Sequence, residues 1–133
     1  MTIAACVDTR LGMTFGSRRQ SRDKALCQRL LERAEGGILW IHPDSAGLFA
    51  PLPSNVKVAE DFLEQAGPND LCFLEKLPDR WPRFNRLLLY DWNRHYPADV
   101  RFPNEILQGM RLAEQRDFAG NSHPVITEKV YEK

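Results

Sequence analysis

Long apolar runs are missing from this chain of 133 residues. No stretch approaches the roughly 20 consecutive apolar residues that a membrane span needs. The N-terminus, Met1-Thr2-Ile3-Ala4-Ala5-Cys6-Val7-Asp8, has no basic segment ahead of its apolar residues, and those residues end too soon for a secretory leader. The expectation is a cytoplasmic protein with no membrane partner. Cysteine is scarce as well. Cys6, Cys27 and Cys72 form an odd, widely spaced set, which is neither a disulfide framework nor a thiolate metal site. Each lies in an apolar run and reads as a reduced core thiol. His42, His95 and His123 are single and scattered. With no H-x-x-x-H or H-x-H pair, no metal is expected. Net charge is absent too, with 18 Lys+Arg against 18 Asp+Glu. That balance argues against coating nucleic acid or anionic membrane by bulk electrostatics. Internal repeats and low-complexity linkers do not occur.

What remains is ordinary globular composition, 43% hydrophobic and 27% charged, at the length of one domain spanning residues 1–133. Residues 2–7 read as a buried strand ending at Asp8, and a turn-rich stretch follows through Gly12 and Gly16. A helix starts near Ser21 to Asp23. Leu26, Cys27, Leu30, Leu31 and Ala34 form its apolar face, and Gly36-Gly37 ends it. Residues 38–41 read as a second strand. Asp44 or Ser45 is placed to cap a brief helical turn through Phe49. Val56–Val58 reads as a strand, 61–66 as a short helix closed by Gly67-Pro68, and 71–74 as a strand. Residues 78–84 read as irregular or one helical turn. The strongest strand is 86–92, and two more follow at 110–114 and 125–131. The last alternates apolar and polar residues, so one wet face is expected. Strands that alternate with helices and then follow one another predict an α/β fold, a parallel core finished by an antiparallel C-terminal hairpin.

Charge is uneven along the chain. Residues 10–33 hold seven basic side chains (Arg10, Arg18, Arg19, Arg22, Lys24, Arg29, Arg33) and two acidic ones, Asp23 and Glu32. Residues 59–79 hold six acidic ones (Glu60, Asp61, Glu64, Asp70, Glu75, Asp79) and one basic, Lys76. Solvated faces explain such segments in general. Arg18, Arg19 and Arg22 nevertheless precede a helix N-terminus, where guanidinium forks and free N–H groups suit an anion. Trp92-Asn93-Arg94-His95-Tyr96 pairs stacking rings with a cation at a strand end, although Trp92 also suits the core and Asn93-Arg94 a turn. Ser122-His123 offers a nucleophile and a base, but neighbours in a loop seldom point together and no acid stands near in sequence. Gly12 through Gly16 lacks the G-K-[ST] of a phosphate loop.

Ala4-Ala5-Cys6-Val7-Asp8 with Gly12-Met13 opens the chain, and with the order and spacing of the segments that follow it resembles the dihydrofolate reductases along nearly the whole chain. That opening looks like the family's first strand and its A-x-D-x-x-x-G-I-G entry. Asp99-Val100-Arg101-Phe102-Pro103 looks like its G-D-T-x-F-P-like turn. Met110-Arg111-Leu112, Asp117-Phe118, Asn121-Ser122-His123 and Val130-Tyr131-Glu132-Lys133 look like its closing hairpin and aromatic-acidic-basic tail. The resemblance implies a three-layer sandwich around a mostly parallel sheet. It also implies hydride transfer from a nicotinamide cofactor to dihydrofolate, with a carboxylate on the first helix to hold the pterin. Asp23 falls at that position; on its own it reads equally as a helix N-cap.

Three segments depart from the family. Its G-R-K/H-T after the second strand is Ile41-His42-Pro43-Asp44-Ser45 here. Its later Gly-Gly is Leu74-Glu75-Lys76-Leu77, and its L-P-W loop is Arg18-Arg19-Gln20. Side chains in place of glycines, a carboxylate among them, should obstruct a pyrophosphate. The resemblance therefore implies the scaffold more than the reaction, and NADPH is disfavoured. The chain is also similar to short uncharacterised bacterial proteins carrying R-R-Q-S-R-D and W-N-R-x-Y-P-A-D, here 18–23 and 92–99. Some of those bear a ribonuclease label, but the H-x-H-x-D-H zinc motif of metallo-hydrolase ribonucleases is absent. The expected function is binding of a small anionic or heteroaromatic ligand by Asp8, Arg18, Arg19, Arg22, Asp23, Trp92, Arg94 and Tyr96, with Asp23 the candidate catalytic group. One alternative is a pterin or folate reductase with an altered NADPH mode. Another is an RNA- or DNA-handling protein that uses residues 10–33. Homo-oligomerisation stays open.

Overall fold

The structure is a computed structural model and describes all residues from Met1 to Lys133. Its centre is β1 (Thr2–Val7), flanked in parallel by β6 (Leu71–Leu74) and β7 (Arg86–Asp91). Beyond β6 lie β4 (Leu39–Ile41) and β5 (Val56–Val58), also parallel. Beyond β7 lie β10 (Ile126–Glu132) and the edge strand β9 (Arg111–Phe118), both laid antiparallel to their neighbours. The order is β5-β4-β6-β1-β7-β10-β9. The central strands are near-continuous apolar runs because both faces of the sheet are covered.

On one face α1 (Lys24–Arg33) buries Leu26, Leu30 and Ala34 over Ala4 and Tyr90. Small side chains in β1, Ala4 and Ala5, are wholly buried. Gly36 ends the helix region with φ +86°, a left-handed value that glycine adopts without strain. On the other face α2 (Phe62–Gln65) and α3 (Asn104–Gln108) pack Phe62, Ile106 and Leu107 onto Ile3, Ala5 and Leu87. With a helical layer on each face, the chain is a three-layer α/β sandwich, mostly parallel, ending in an antiparallel hairpin. No helix is long and apolar enough to cross a membrane.

Several local expectations change. The turn-rich stretch after Asp8 holds two short strands, β2 (Gly12–Phe15) and β3 (Arg18–Arg19), joined by a hairpin. Gly16 and Ser17 both have left-handed φ, +58° and +63°, as a two-residue type I′ turn requires. With β8 (Val100–Arg101) they form a second sheet, β3-β2-β8. Pairing across more than eighty residues leaves no local trace. A 3-10 helix over Pro43–Phe49 is capped by His42, whose Nδ1 accepts from the Asp44 N–H at 3.0 Å, and not by Asp44 or Ser45. The expected strand at 110–114 runs on to Phe118, and α3 was not anticipated. The last strand is only half wet. Placed between β7 and β9, β10 buries Thr127 and Glu128 along with Ile126 and Val130, and leaves Lys129 and Tyr131 half-buried.

Candidate functional site

The connections after β4 and β6 leave in opposite directions, one to β5 at the sheet edge and one across β1 to β7. A crevice opens where adjacent parallel strands diverge in this way, beyond their carboxyl ends. A cleft of about 1010 Å³ lies there. Its floor is Glu75, the residue after β6. Arg19 of β3 clamps the Glu75 carboxylate with both fork nitrogens, Nε at 2.7 Å and Nη2 at 2.8 Å. Ser45 donates its hydroxyl to the same carboxylate at 2.7 Å, and Arg19 Nη2 also donates to the Asp44 carbonyl at 3.0 Å. The Glu75 partnership raises the Arg19 pKa further. Phe62, Trp81 and His42 supply aromatic surface to the walls. The lining carries six carboxylates (Asp44, Glu60, Asp61, Glu64, Glu75, Asp79) against four cations, Arg18, Arg19, Lys76 and Arg80. A dinucleotide fits this lining poorly. The Glu75 side chain and the surplus of negative charge both oppose a pyrophosphate there.

A second constellation forms where three loops meet. Asp23 is the N-cap of α1, its Oδ1 accepting from Ala25 N–H at 2.8 Å and Leu26 N–H at 3.3 Å. The same carboxylate accepts from the N–H groups of Asn121 (2.8 Å) and Ser122 (2.7 Å), in the loop between β9 and β10. His123 Nδ1 adds a contact at 3.1 Å. Asp23 is 4% exposed. Burial opposes its ionisation, but the Asn121, Ser122, His123 and Ala25 donors outweigh it and hold the pKa at about 2. With Nδ1 directed at the Asp23 carboxylate, that nitrogen carries the ring proton of the imidazole, and Nε2 faces Tyr96 and Ser21 as an acceptor. Tyr96 OH stands 2.9 Å from that nitrogen and Ser21 Oγ 3.2 Å from it. Trp92 stacks on the imidazole, ring centroids 4.5 Å apart. Cys6, Ser21, Arg22, Cys27 and Trp92 line a recess of only about 30 Å³ beside it, room for one or two waters.

The candidate residues therefore divide. Asp23, Trp92 and Tyr96 converge on His123, with Arg22 at the adjoining recess. Arg18 and Arg19 line the large cleft. Asp8 belongs to neither. It is a buried loop staple, accepting from the N–H groups of Arg10 (2.8 Å), Gly12 (2.8 Å) and Tyr96 (3.1 Å). Its own burial would raise its pKa, but those N–H donors outweigh it and lower the value. Arg94 is exposed, and its carbonyl receives the Thr9 N–H. Sequence reasoning did not find His123 as a centre, because its acid lies 100 positions away. Ser21 gave no signal at all, whereas Glu75 was visible as an intrusion where glycines were expected. No group of three or more His, Cys, Asp or Glu side chains is placed to hold a metal ion.

Comparison with known proteins fits the architecture. The dihydrofolate reductase from Enterococcus faecalis, solved complexed with NADP(H) and RAB-propyl, superposes with a TM-score of 0.62. The alignment covers 98% of this chain and 94% of that chain at 8% sequence identity. The fold is dihydrofolate reductase-like. No family model matches the sequence, and no curated protein matches it. At that identity the likeness extends to the dihydrofolate reductase-like scaffold and stops there. The chemistry has to come from the side chains now in place.

Proposed function

We propose that this chain is a small-ligand-binding protein on a dihydrofolate reductase-like scaffold, without the family's nicotinamide phosphate cradle. Its ligand is a small heteroaromatic molecule held in the cleft beyond β4 and β6. The observation that carries this reading is Glu75, fixed on the cleft floor by Arg19 and Ser45. A carboxylate oriented in this way can accept from the N–H edge of an amino-heterocycle, and Trp81 and Phe62 offer ring surface beside it. The excess of carboxylates favours a heterocycle presenting N–H groups over one presenting phosphate. Between the two ligand classes expected from sequence, the heteroaromatic one suits the cleft better.

The engagement of Asp23 supports the same choice. Its carboxylate already serves five donors of the chain itself, and the recess beside it holds no more than a water or two. A pterin held there would have to displace the loop at 121–123. A thermal-shift panel tests the reading. Pterins and purine nucleosides should raise the melting temperature, by about 2.7 kcal/mol of stability at 100-fold over Kd. Inorganic phosphate, sugar phosphates and NADPH should not. No shift with any heterocycle removes the ligand site, and a shift with NADPH restores the reductase alternative.

A further inference from the structure

Ser122-His123 is not the pair that adjacency in sequence offered. Ser122 turns its backbone N–H to Asp23. A different serine meets the imidazole: Ser21 Oγ lies 3.2 Å from His123 Nε2, and Asp23 Oδ2 lies 3.1 Å from His123 Nδ1. We propose that Ser21 is a nucleophile for esters of short acyl groups, with His123 as its general base and Asp23 as the carboxylate that orients the ring.

The order of hydrogen bonds is that of an acid–base–nucleophile triad, which is recognised by geometry and not by chain order. Asp23 is buried and ionised and holds the Nδ1 side of His123, which turns the Nε2 lone pair toward Ser21 and Tyr96. Trp92, stacked on the imidazole, holds the ring plane. Ser21 is part-exposed and lines the small recess, which shares Arg19, Leu74 and Glu75 with the lining of the larger cleft. At about 30 Å³ the recess sets an upper limit near two water-sized groups, so no acyl group larger than formyl or acetyl enters it. Arg22 lines the same recess and brings a positive charge beside Ser21, which suits the anion formed when a carbonyl is attacked. The two thiols of the recess do not compete, because burial pushes Cys6 up and Cys27 to about 11, keeping both protonated.

In the reaction, Ser21 Oγ bonds to the acyl carbon as its proton passes to His123 Nε2. The acyl–oxygen bond to the alcohol then breaks, and His123 returns the proton to the departing oxygen. Water attacks the acyl-serine by the same route, releasing the carboxylic acid and restoring the Ser21 hydroxyl. Tyr96 competes with the nucleophile, since its hydroxyl shares the single Nε2 lone pair with Ser21.

The test uses a short-chain alkyl fluorophosphonate and p-nitrophenyl acetate on the full chain, with the modified residue located by peptide mass spectrometry. The expected label is on Ser21, absent in Ser21→Ala and at least about 100-fold slower in His123→Gln. Tyr96→Phe removes the competing hydroxyl and should label faster, by about twofold or more. A folded wild type unlabelled at Ser21 overturns the proposal, as does a rate that His123→Gln leaves unchanged. If His123→Gln does not fold by circular dichroism, Tyr96→Phe decides, and an unchanged rate there overturns the proposal.

Discussion

Glu128 is 1% exposed in the middle of β10, a charged residue on the same strand face as the core residues Ile126 and Val130. It is buried because its partners come with it. Arg29 donates from Nε and Nη2 at 2.9 Å each, Arg33 Nη2 donates at 2.7 Å, and Tyr90 OH donates at 2.8 Å. Burial alone would raise the Glu128 pKa, but Arg29, Arg33 and Tyr90 bring it down to about 2, against 4.5 ordinarily. Asp23 is likewise held at about 2, against 3.8. Both are depressed in the folded state, so their stabilisation is full above about pH 4.5 and is lost as pH falls toward 2. Thermal unfolding across that window should show a steep fall in Tm. Glu128→Gln should flatten part of that fall and lower stability at neutral pH by about 3–5 kcal/mol in urea, because two arginines lose their buried partner. Asp23→Asn should cost about 1–3 kcal/mol through the lost cap and the donors left unsatisfied at 121–123. A loss under about 0.5 kcal/mol in either variant would contradict the energetic weight given to these networks.

At the level of elements, apolar runs and helical spacing placed β1, α1, β6 and β7 within a residue or two, because their burial is written in consecutive side chains. The β3-β2-β8 sheet was not legible, since its pairing depends on residues far apart. The β2–β3 hairpin offers a clean measurement. A Cβ on Gly16 would meet nothing within 4 Å, so Gly16→Ala isolates the left-handed backbone cost. A loss of about 1–2 kcal/mol is expected in urea unfolding, and no loss would show that the turn is not left-handed there. The basic segment divides along its length as well. Arg19, Arg29 and Arg33 are paired with Glu75 and Glu128, leaving Arg10, Arg18, Arg22 and Lys24 exposed. With those four cations and a neutral whole, RNA should give no gel shift at physiological salt. A shift that persists there would favour the nucleic-acid reading.

Taken as one molecule, the zero net charge comes from opposed segments that meet within the chain. The basic 10–33 and the acidic 59–79 are joined by Arg19–Glu75, and both line the large cleft. Sequence order was enough to reach the scaffold, because alternating and then consecutive strands leave few topologies open. The site was less accessible. Asp23 stood out by position, yet its role depends on Asn121, Ser122 and His123, which only the fold brings to it. If Glu75 anchors a heterocycle in the cleft, a two-dimensional ¹⁵N NMR titration with a pterin will show it. Saturable shifts grouped on the amides of Ser45, Glu75, Lys76 and Trp81, lost in Glu75→Ala, are expected. Shifts confined to Asp23 and residues 121–123, or none at millimolar ligand, would rule out a heterocycle anchored by Glu75.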